Sequence, residues 1–362
     1  MLFNPRCFDG SKTEGERDGE LGAHQQRQEE ISKLPVEMGW RNFPFRLYHG
    51  FWFHEPHLNG VISLRRNFCR PAPSDLFLVT FPKSGTTWLK ALAFAIANRS
   101  SGHHINSGHR SILSRHPQDC SPYLEGFYAG PHVPNLDAMP SPRQLGTHMP
   151  YSLLPESLRD EGSPGRIIYL CREPKDTLVS TVHFINTMGS EQSSIAAGPI
   201  SMDQAAELFC KGLSPYGPVW EHQLEYWRES QRRPDKLLFL KYEDLMAEPA
   251  ANVRKLANFI GRPFSPEEES CGMVAEIVEL CCFEKLSGLE VNKAGVRGKE
   301  IGVTVNNSSF FRKGKVGDWR EHLSPEMAEK VDVITRDKLR GTGLSHSPEP
   351  PAPHADQGGE MP

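Results

Sequence analysis

The sequence predicts an α/β fold: a single domain built on a mainly parallel sheet flanked by helices. Three observations carry this reading. The segments "LFLVTF" (76–81), "RIIYLC" (166–171) and "KLLFLKY" (236–242) are short, continuous apolar runs of the kind seen in strands buried on both faces. Each is followed by a longer stretch with helical apolar spacing, and that alternation is the pattern of a parallel sheet with helical crossovers. With 362 residues, 38% of them hydrophobic, the chain has enough apolar material for one large core. No repeat or linker divides it.

The same spacing predicts helices over Thr86 to Asn98, Lys175 to Asn186, Met202 to Gln231, Pro249 to Gly261 and Pro266 to Glu279. "SPEMAEKVDVITRDKL" adds another, with Ser324 as N-cap and Pro325 at the first helical position. Residues 1–35 are rich in Glu, Gln, Arg and Gly and poor in large apolar side chains, so they read as a disordered tail. The Pro/Gly-rich end, 345–362, reads the same way, which leaves a folded domain over 36–344.

Composition narrows the function. A formal net charge of −4 argues against a nucleic-acid binder and confines any anion site to a local pocket. The eight cysteines form no CxxC pair and no metal-like spacing with histidines, so they read as reduced thiols. No apolar run reaches the roughly 18 residues needed to span a bilayer. The N-terminus turns polar too early for a signal peptide. A cytoplasmic protein without a membrane partner is expected.

Four stretches carry chemistry. In "FPKSGTTW", Lys83, Ser84, Gly85, Thr86 and Thr87 place backbone N–H groups, hydroxyls and one ammonium at a helix start after a strand, a geometry that grips phosphate-like anions. Trp88 adds a flat face suited to a purine. The lysine precedes the glycine here, unlike the GxxxxGK[ST] order of nucleotide hydrolases. In "CREPKDTLVS", Arg172 leaves a strand and Ser180 lies in the second turn of the following helix, so both can meet one phosphate; an Arg172 salt bridge to Glu173 or Asp176 is the alternative. In "FFRKGKVGDW", Arg312, Lys313 and Lys315, with Gly314 and Gly317 allowing close backbone approach, make a cationic, flexible clamp, or a solvated charged face. In "GTHMPYSLLP", His148 occupies a loop where an imidazole can act as general base, or simply be solvated.

Taken in order with "FLKYEDL", these stretches resemble the cytosolic sulfotransferase family, and in detail its plant soluble branch, over residues 45 to 340. The resemblance implies a P-loop-like nucleotide-binding core and transfer of a sulfuryl group from 3′-phosphoadenosine-5′-phosphosulfate to a hydroxyl of a small-molecule acceptor. It implies that Lys83 to Trp88 form the 5′-phosphosulfate loop, that Arg172, Ser180, Arg312, Lys313 and Gly314 bind the 3′-phosphate, and that Tyr242, Cys282 and Phe283 contact the adenine. It further implies that His148 is the base, with Lys83 on the leaving oxygen and Ser180 restraining Lys83. A sulfonate carries less charge than a transferred γ-phosphoryl group, and no Asp ends a strand in the Walker B manner, so no metal is expected. Candidate acceptors are flavonoids, steroids and hydroxy acids. The aromatic stretch "WRNFPFRLYHGFWFHE" (40–55), Phe127, Tyr151 and Phe184 are candidate pocket walls or ordinary core.

Three departures from the family pattern stand out. Cys281-Cys282-Phe283 replaces a hydroxyl-bearing segment, Gly146 stands two residues before His148 where animal members tend to carry lysine, and Ser324-Pro325 falls in the animal dimerisation segment. The expectations are therefore a monomer or weak homodimer and, as the alternative to an active enzyme, a nucleotide-binding protein with impaired catalysis.

Overall fold

The computed structural model describes residues 12–68, 70–99, 108–139, 141–190, 198–298 and 303–346. Cys7, Cys69 and the C-terminal tail from residue 347 lie outside the described residues.

A helix, α1 (Glu14–Ser32), opens the described chain and is followed by a small antiparallel sheet of β1 (Val36–Met38), β2 (Pro44–Tyr48) and β3 (Phe51–His54). The helix α1 replaces the disordered tail expected there. Its capping box joins Thr13 and Glu16, and its last turns dock through buried Arg27, whose Nε donates to Asn59 Oδ1 at 3.0 Å, and buried Ile31. Asn59 belongs to α2 (Glu55–Asn67). Two well-placed buried side chains, invisible to average composition, anchor this helix.

The central sheet follows: β4 (Leu76–Thr80), β5 (Gln144–Thr147) and β6 (Arg166–Cys171) come first along the chain. After a short β7 (Gly189–Ser190), β8 (Leu237–Lys241) completes it in the order β5-β4-β6-β8, every pair parallel. All five residues of β4 are buried, as are all of β6 except Arg166. That explains the unbroken apolar runs, since both faces are covered. The strand β5 carries Gln144, Gly146 and Thr147 and so gave no apolar signal, yet it pairs Leu78 with Gly146 and Val79 with Thr147. A third sheet, with β9 (Val296–Arg297) and β10 (Val303–Asn306), has the order β7-β10-β9.

Helix α3 (Thr86–Asn98) matches its expected bounds, and Ser324 caps Pro325–Leu339 by accepting from Met327 N–H. Two expected helices are each broken in two. Met202–Cys210 stops just before Gly212, with φ +79°, and Val219–Arg232 begins after its N-cap Pro218. Pro266–Ser270 and Met273–Leu280 are separated at Gly272, with φ +78°.

The parallel arrangement has one consequence for chemistry. Chain leaving β4 reaches Lys83, β5 ends one residue before His148, β6 one before Arg172 and β8 one before Tyr242. Four residues far apart in sequence therefore share the carboxyl edge of one sheet, where open α/β sheets bind ligands.

Candidate active site

The turn between β4 and α3 is set by Gly85. Its φ of +103° is a left-handed conformation, and a Cβ there would lie 2.8 Å from the Tyr242 ring and 2.9 Å from Leu170, so only glycine fits. No side chain caps the first turn of α3. Its N–H groups are free to meet an anion, with the positive end of the helix dipole behind them.

A cavity of about 810 Å³ opens in front of that turn. Of the sequence-predicted residues, Lys83, Gly85, Thr86, Thr87, Trp88, His148, Arg172, Ser180, Tyr242, Cys282, Phe283, Arg312, Lys313 and Gly314 line it. Ser84 does not: it is fully buried, with its hydroxyl 3.4 Å from that of Thr177. Of the pocket-wall candidates, Trp40, Phe43, Phe45, His54, Phe127 and Phe184 line the cavity, whereas Tyr151 packs instead on Tyr226 and accepts from Arg233.

Cations converge on one end. Lys83 holds a φ of +66°, its Nζ sits 3.8 Å from the Phe184 ring centroid, and burial, then Arg172 and Arg312, push its pKa down to about 7. Among the described residues Lys83 makes no hydrogen bond to Ser180; an ammonium crowded by two guanidiniums rests on an aromatic face instead. Arg172 stacks 4.5 Å from the centroid of Tyr242, donates to Lys315 O at 2.7 Å and pairs with Asp176 at 3.6 Å. The salt-bridge reading of Arg172 is thus seen in its Asp176 partner, and among the described residues its Nε is buried without a hydrogen-bond partner. Arg312 pairs with Asp318 at 2.5 Å, and its Nε is also unpartnered. These are two buried donors on cations with no hydrogen-bond partner among the described residues, chemistry that could serve an anion.

The late-chain stretch is tied to this end by Asp176 in the helix Pro174–Thr187, which accepts from Gly317 N–H at 2.7 Å and Trp319 N–H at 3.0 Å. Gly314 lies so close to Phe283 that a Cβ would sit 2.5 Å from the ring. Cys282 accepts from Lys285 N–H as the N-cap of Phe283–Gly288, so its thiol occupies the position of a capping hydroxyl. Trp88 meets Tyr242 edge-on at 5.4 Å.

His148 sits between the two ends. Its Nδ1 lies 2.7 Å from Thr80 O, and because a carbonyl only accepts, Nδ1 carries the proton and Nε2 the lone pair. Burial pushes the imidazole down to about 3, the nearby Lys90 and Lys83 charges adding to it. Its backbone is pinned on both sides: Glu125 Oε1 accepts its N–H at 2.7 Å, and its carbonyl lies 2.9 Å from His222 Nε2. Behind that, His222 Nδ1 is 2.9 Å from the Tyr169 hydroxyl. Burial lifts the Glu125 carboxyl to about 7.

The opposite end is aromatic. Tyr123 and Tyr216 hydrogen-bond through their hydroxyls, His57 packs on both rings, and Phe127, Ile185 and Met188 complete the wall. Tyr123, His57, Tyr216, Glu125 and Lys90 carried no recognisable motif. Only folding brings them to His148.

Convergent cations at a helix start, a buried histidine and an aromatic chamber are the layout of a group-transfer site. The chain belongs to the sulfotransferase family and is an enzyme of that class: the family profile described as "Sulfotransferase domain" matches residues 73–343. It is 42% identical to cytosolic sulfotransferase 15 of Arabidopsis thaliana over 88% of this chain and 86% of that protein. It is 41% identical to a flavonol 3-sulfotransferase of Flaveria bidentis over 84% of this chain and 94% of that one. A mouse sulfotransferase solved in complex with PAP has a TM-score of 0.59 at 25% identity, covering 82% of this chain and 94% of its own. Among the described residues, no helix is long and apolar enough to cross a membrane.

Proposed function

We propose that the protein moves the sulfuryl group of 3′-phosphoadenosine-5′-phosphosulfate to a hydroxyl of a small-molecule acceptor, with His148 as general base. The observation that carries this is the meeting of Lys83, Arg172 and Arg312 at the uncapped start of α3, beside a histidine whose Nε2 has a free lone pair.

The nucleotide fits the cations and orphan donors present. Lys83, Thr86, Thr87 and the α3 amides face the 5′-phosphosulfate; Arg172, Ser180, Arg312, Lys313 and Gly314 face the 3′-phosphate; Trp88, Tyr242, Cys282 and Phe283 enclose the adenine. Ser84 serves the turn through Thr177 rather than through the ligand. The nucleotide supplies the sulfuryl group: the bond from the acceptor oxygen to sulfur forms as the bond from sulfur to the 5′-phosphate oxygen breaks.

The residues of the chain do the rest. His148 Nε2 takes the acceptor hydroxyl proton, while the Nδ1 bond to Thr80 keeps the ring in the tautomer that can accept it. Burial holds the ring's pKa near 3, with the Lys90 and Lys83 charges adding to it; negative charge on the donor and on the acceptor oxygen opposes the cationic part and shifts the ring back toward basicity. Lys83 faces the leaving oxygen, and its pKa near 7 lets it share a proton there. The aromatic walls support a planar or steroidal hydroxylated acceptor, including flavonoids, with hydroxy acids a second class. A cytoplasmic monomer or weak homodimer, folded as one unit over the described residues, completes the proposal.

The test is incubation with the sulfonate donor and a panel of phenols, steroids and hydroxy acids, read as a mass gain of the acceptor by mass spectrometry. No gain on any acceptor, with PAP still bound, would return the reading to a nucleotide-binding protein without turnover.

A further inference from the structure

Lys90 lies in the second turn of α3, on the same helix whose N-terminus faces the anion. It is 1% exposed, yet it lines the cavity with Thr86, Thr87, Gly146 and His148. Its Nζ donates to Gln118 Oε1 at 2.7 Å and to Ser121 O at 2.9 Å. Those bonds use two of three N–H groups. Among the described residues no carboxylate pairs with it. Two carboxylates act on it from farther away: Asp119 is held by Arg297 through two bonds of 2.6 Å, and Glu125, whose Oε1 accepts from His148 N–H, keeps a buried Oε2 with no hydrogen-bond partner among the described residues.

The surrounding backbone is shaped to admit this side chain. A Cβ on Gly146 would lie 2.8 Å from Lys90 Cε and 2.9 Å from Nζ. Gly146 N–H donates to Pro122 O at 2.8 Å, so the lysine threads between β5 and the 118–122 segment with no space to spare. Tying Gln118 and Ser121 together needs only a neutral donor. A buried cation with no carboxylate in contact is costly unless an anion joins it. Burial brings its pKa down only to about 8, so the charge persists at neutral pH.

We propose that Lys90 is a further catalytic residue: its ammonium, reaching the cavity across Gly146, meets the sulfuryl oxygens and stabilises their charge during transfer. This rests on the sulfuryl-transfer reading of the cavity. Lys90 forms and breaks no covalent bond. It complements Lys83, which approaches from the leaving-group side, so that the group in flight lies between two cations.

The experiment compares wild type with Lys90→Gln, which keeps an N–H donor on a side chain one bond shorter and removes the charge, after matching thermal midpoints establish folding. Turnover is measured together with affinities for 3′-phosphoadenosine-5′-phosphosulfate and for PAP, which lacks the sulfuryl group. The expected result is a fall in kcat of about 100-fold, with donor affinity weakened about 5- to 10-fold and PAP affinity unchanged, as for loss of one charge-assisted contact. Turnover within about 3-fold of wild type overturns the proposal, since 100-fold is the expected scale. Equal weakening of donor and PAP also overturns it, because that marks a loop-positioning role. If Lys90→Gln does not fold, Lys90→Arg, which keeps the charge, and Lys90→Met, which removes it, take its place under the same criteria. A wild type that sulfates no acceptor defeats the reading of the cavity, and the preference for donor over PAP still decides Lys90 separately.

Discussion

His148 Nδ1 lies 2.7 Å from the carbonyl oxygen of Thr80, the last residue of β4. A strand end thereby selects the tautomer of the histidine, and the same strand leads into the anion-binding turn. In the proposed function, donor grip and proton acceptance are built on one backbone segment.

Replacing His148 by alanine should lower kcat by about 10²- to 10⁴-fold, the usual range for a positioned general base. PAP affinity should stay the same, because the imidazole is not among the convergent cations. Stopped assays at saturating donor give the first number and titration calorimetry the second. Full turnover by the variant would remove His148 from the mechanism.

Arg172 and Arg312 each keep a buried Nε without a partner. Arg172→Met should weaken PAP binding by about 1.5–3 kcal/mol, the scale of a hydrogen bond to a charged group. Binding of a nucleotide without the 3′-phosphate should change much less. Equal losses for both nucleotides would place Arg172 elsewhere. Its bond to Lys315 O predicts an accompanying fall in thermal midpoint.

Gly85→Ala forces a Cβ to within 2.8 Å of Tyr242 and 2.9 Å of Leu170 at a φ of +103°. The expected loss is about 1–3 kcal/mol of stability, from left-handed strain and crowding, together with weakened PAP binding. Chemical denaturation with and without PAP separates the two effects. Wild-type stability would show that the turn relaxes freely.

Glu125 supplies a pH signature. Its folded pKa, lifted by burial to about 7, exceeds the ordinary carboxylate value of 4.5. Between those values the unfolded chain has lost the proton that the folded chain keeps, so this group makes stability fall as pH rises from 4.5 to 7, and level off above. Glu125→Gln removes that slope and should gain on the order of 1–3 kcal/mol relative to wild type between pH 5 and 8. Denaturant midpoints across that range measure it, and parallel curves for the two proteins would contradict the assignment.

Helix α1 docks through Arg27 to Asn59 and through Ile31. Deleting residues 1–33 should lower the thermal midpoint by several degrees, the equivalent of about 1–3 kcal/mol for a buried apolar side chain and a charged hydrogen bond. An unchanged midpoint would restore the reading of this region as a tail.

Much of the site was legible because its signals are local. A strand, a glycine turn and a helix start are contiguous in "FPKSGTTW", and Gly85 cannot be replaced by another residue without a clash the sequence already hints at. Arg172 was legible for the same reason, as the first residue past an apolar strand. Lys90 and Glu125 were not. One looks like an exposed helix lysine and the other like a surface carboxylate, until Gly146 and the His148 backbone are set against them. Ser84 shows the reverse: its place in the motif suggested a ligand contact, and its hydroxyl turned inward to Thr177.

The sequence by itself determined the strands β4, β6 and β8, the anion-binding turn and the cations that gather there, because continuous apolar runs and turn residues act over a few positions. Only the tertiary structure decided which His148 nitrogen is free, where α1 goes, and that Lys90 reaches the cavity across a strand whose glycine leaves it room. Those depend on distances between segments remote in the chain, set by parallel pairing of Val79 with Thr147 and by the packing of α3 against it.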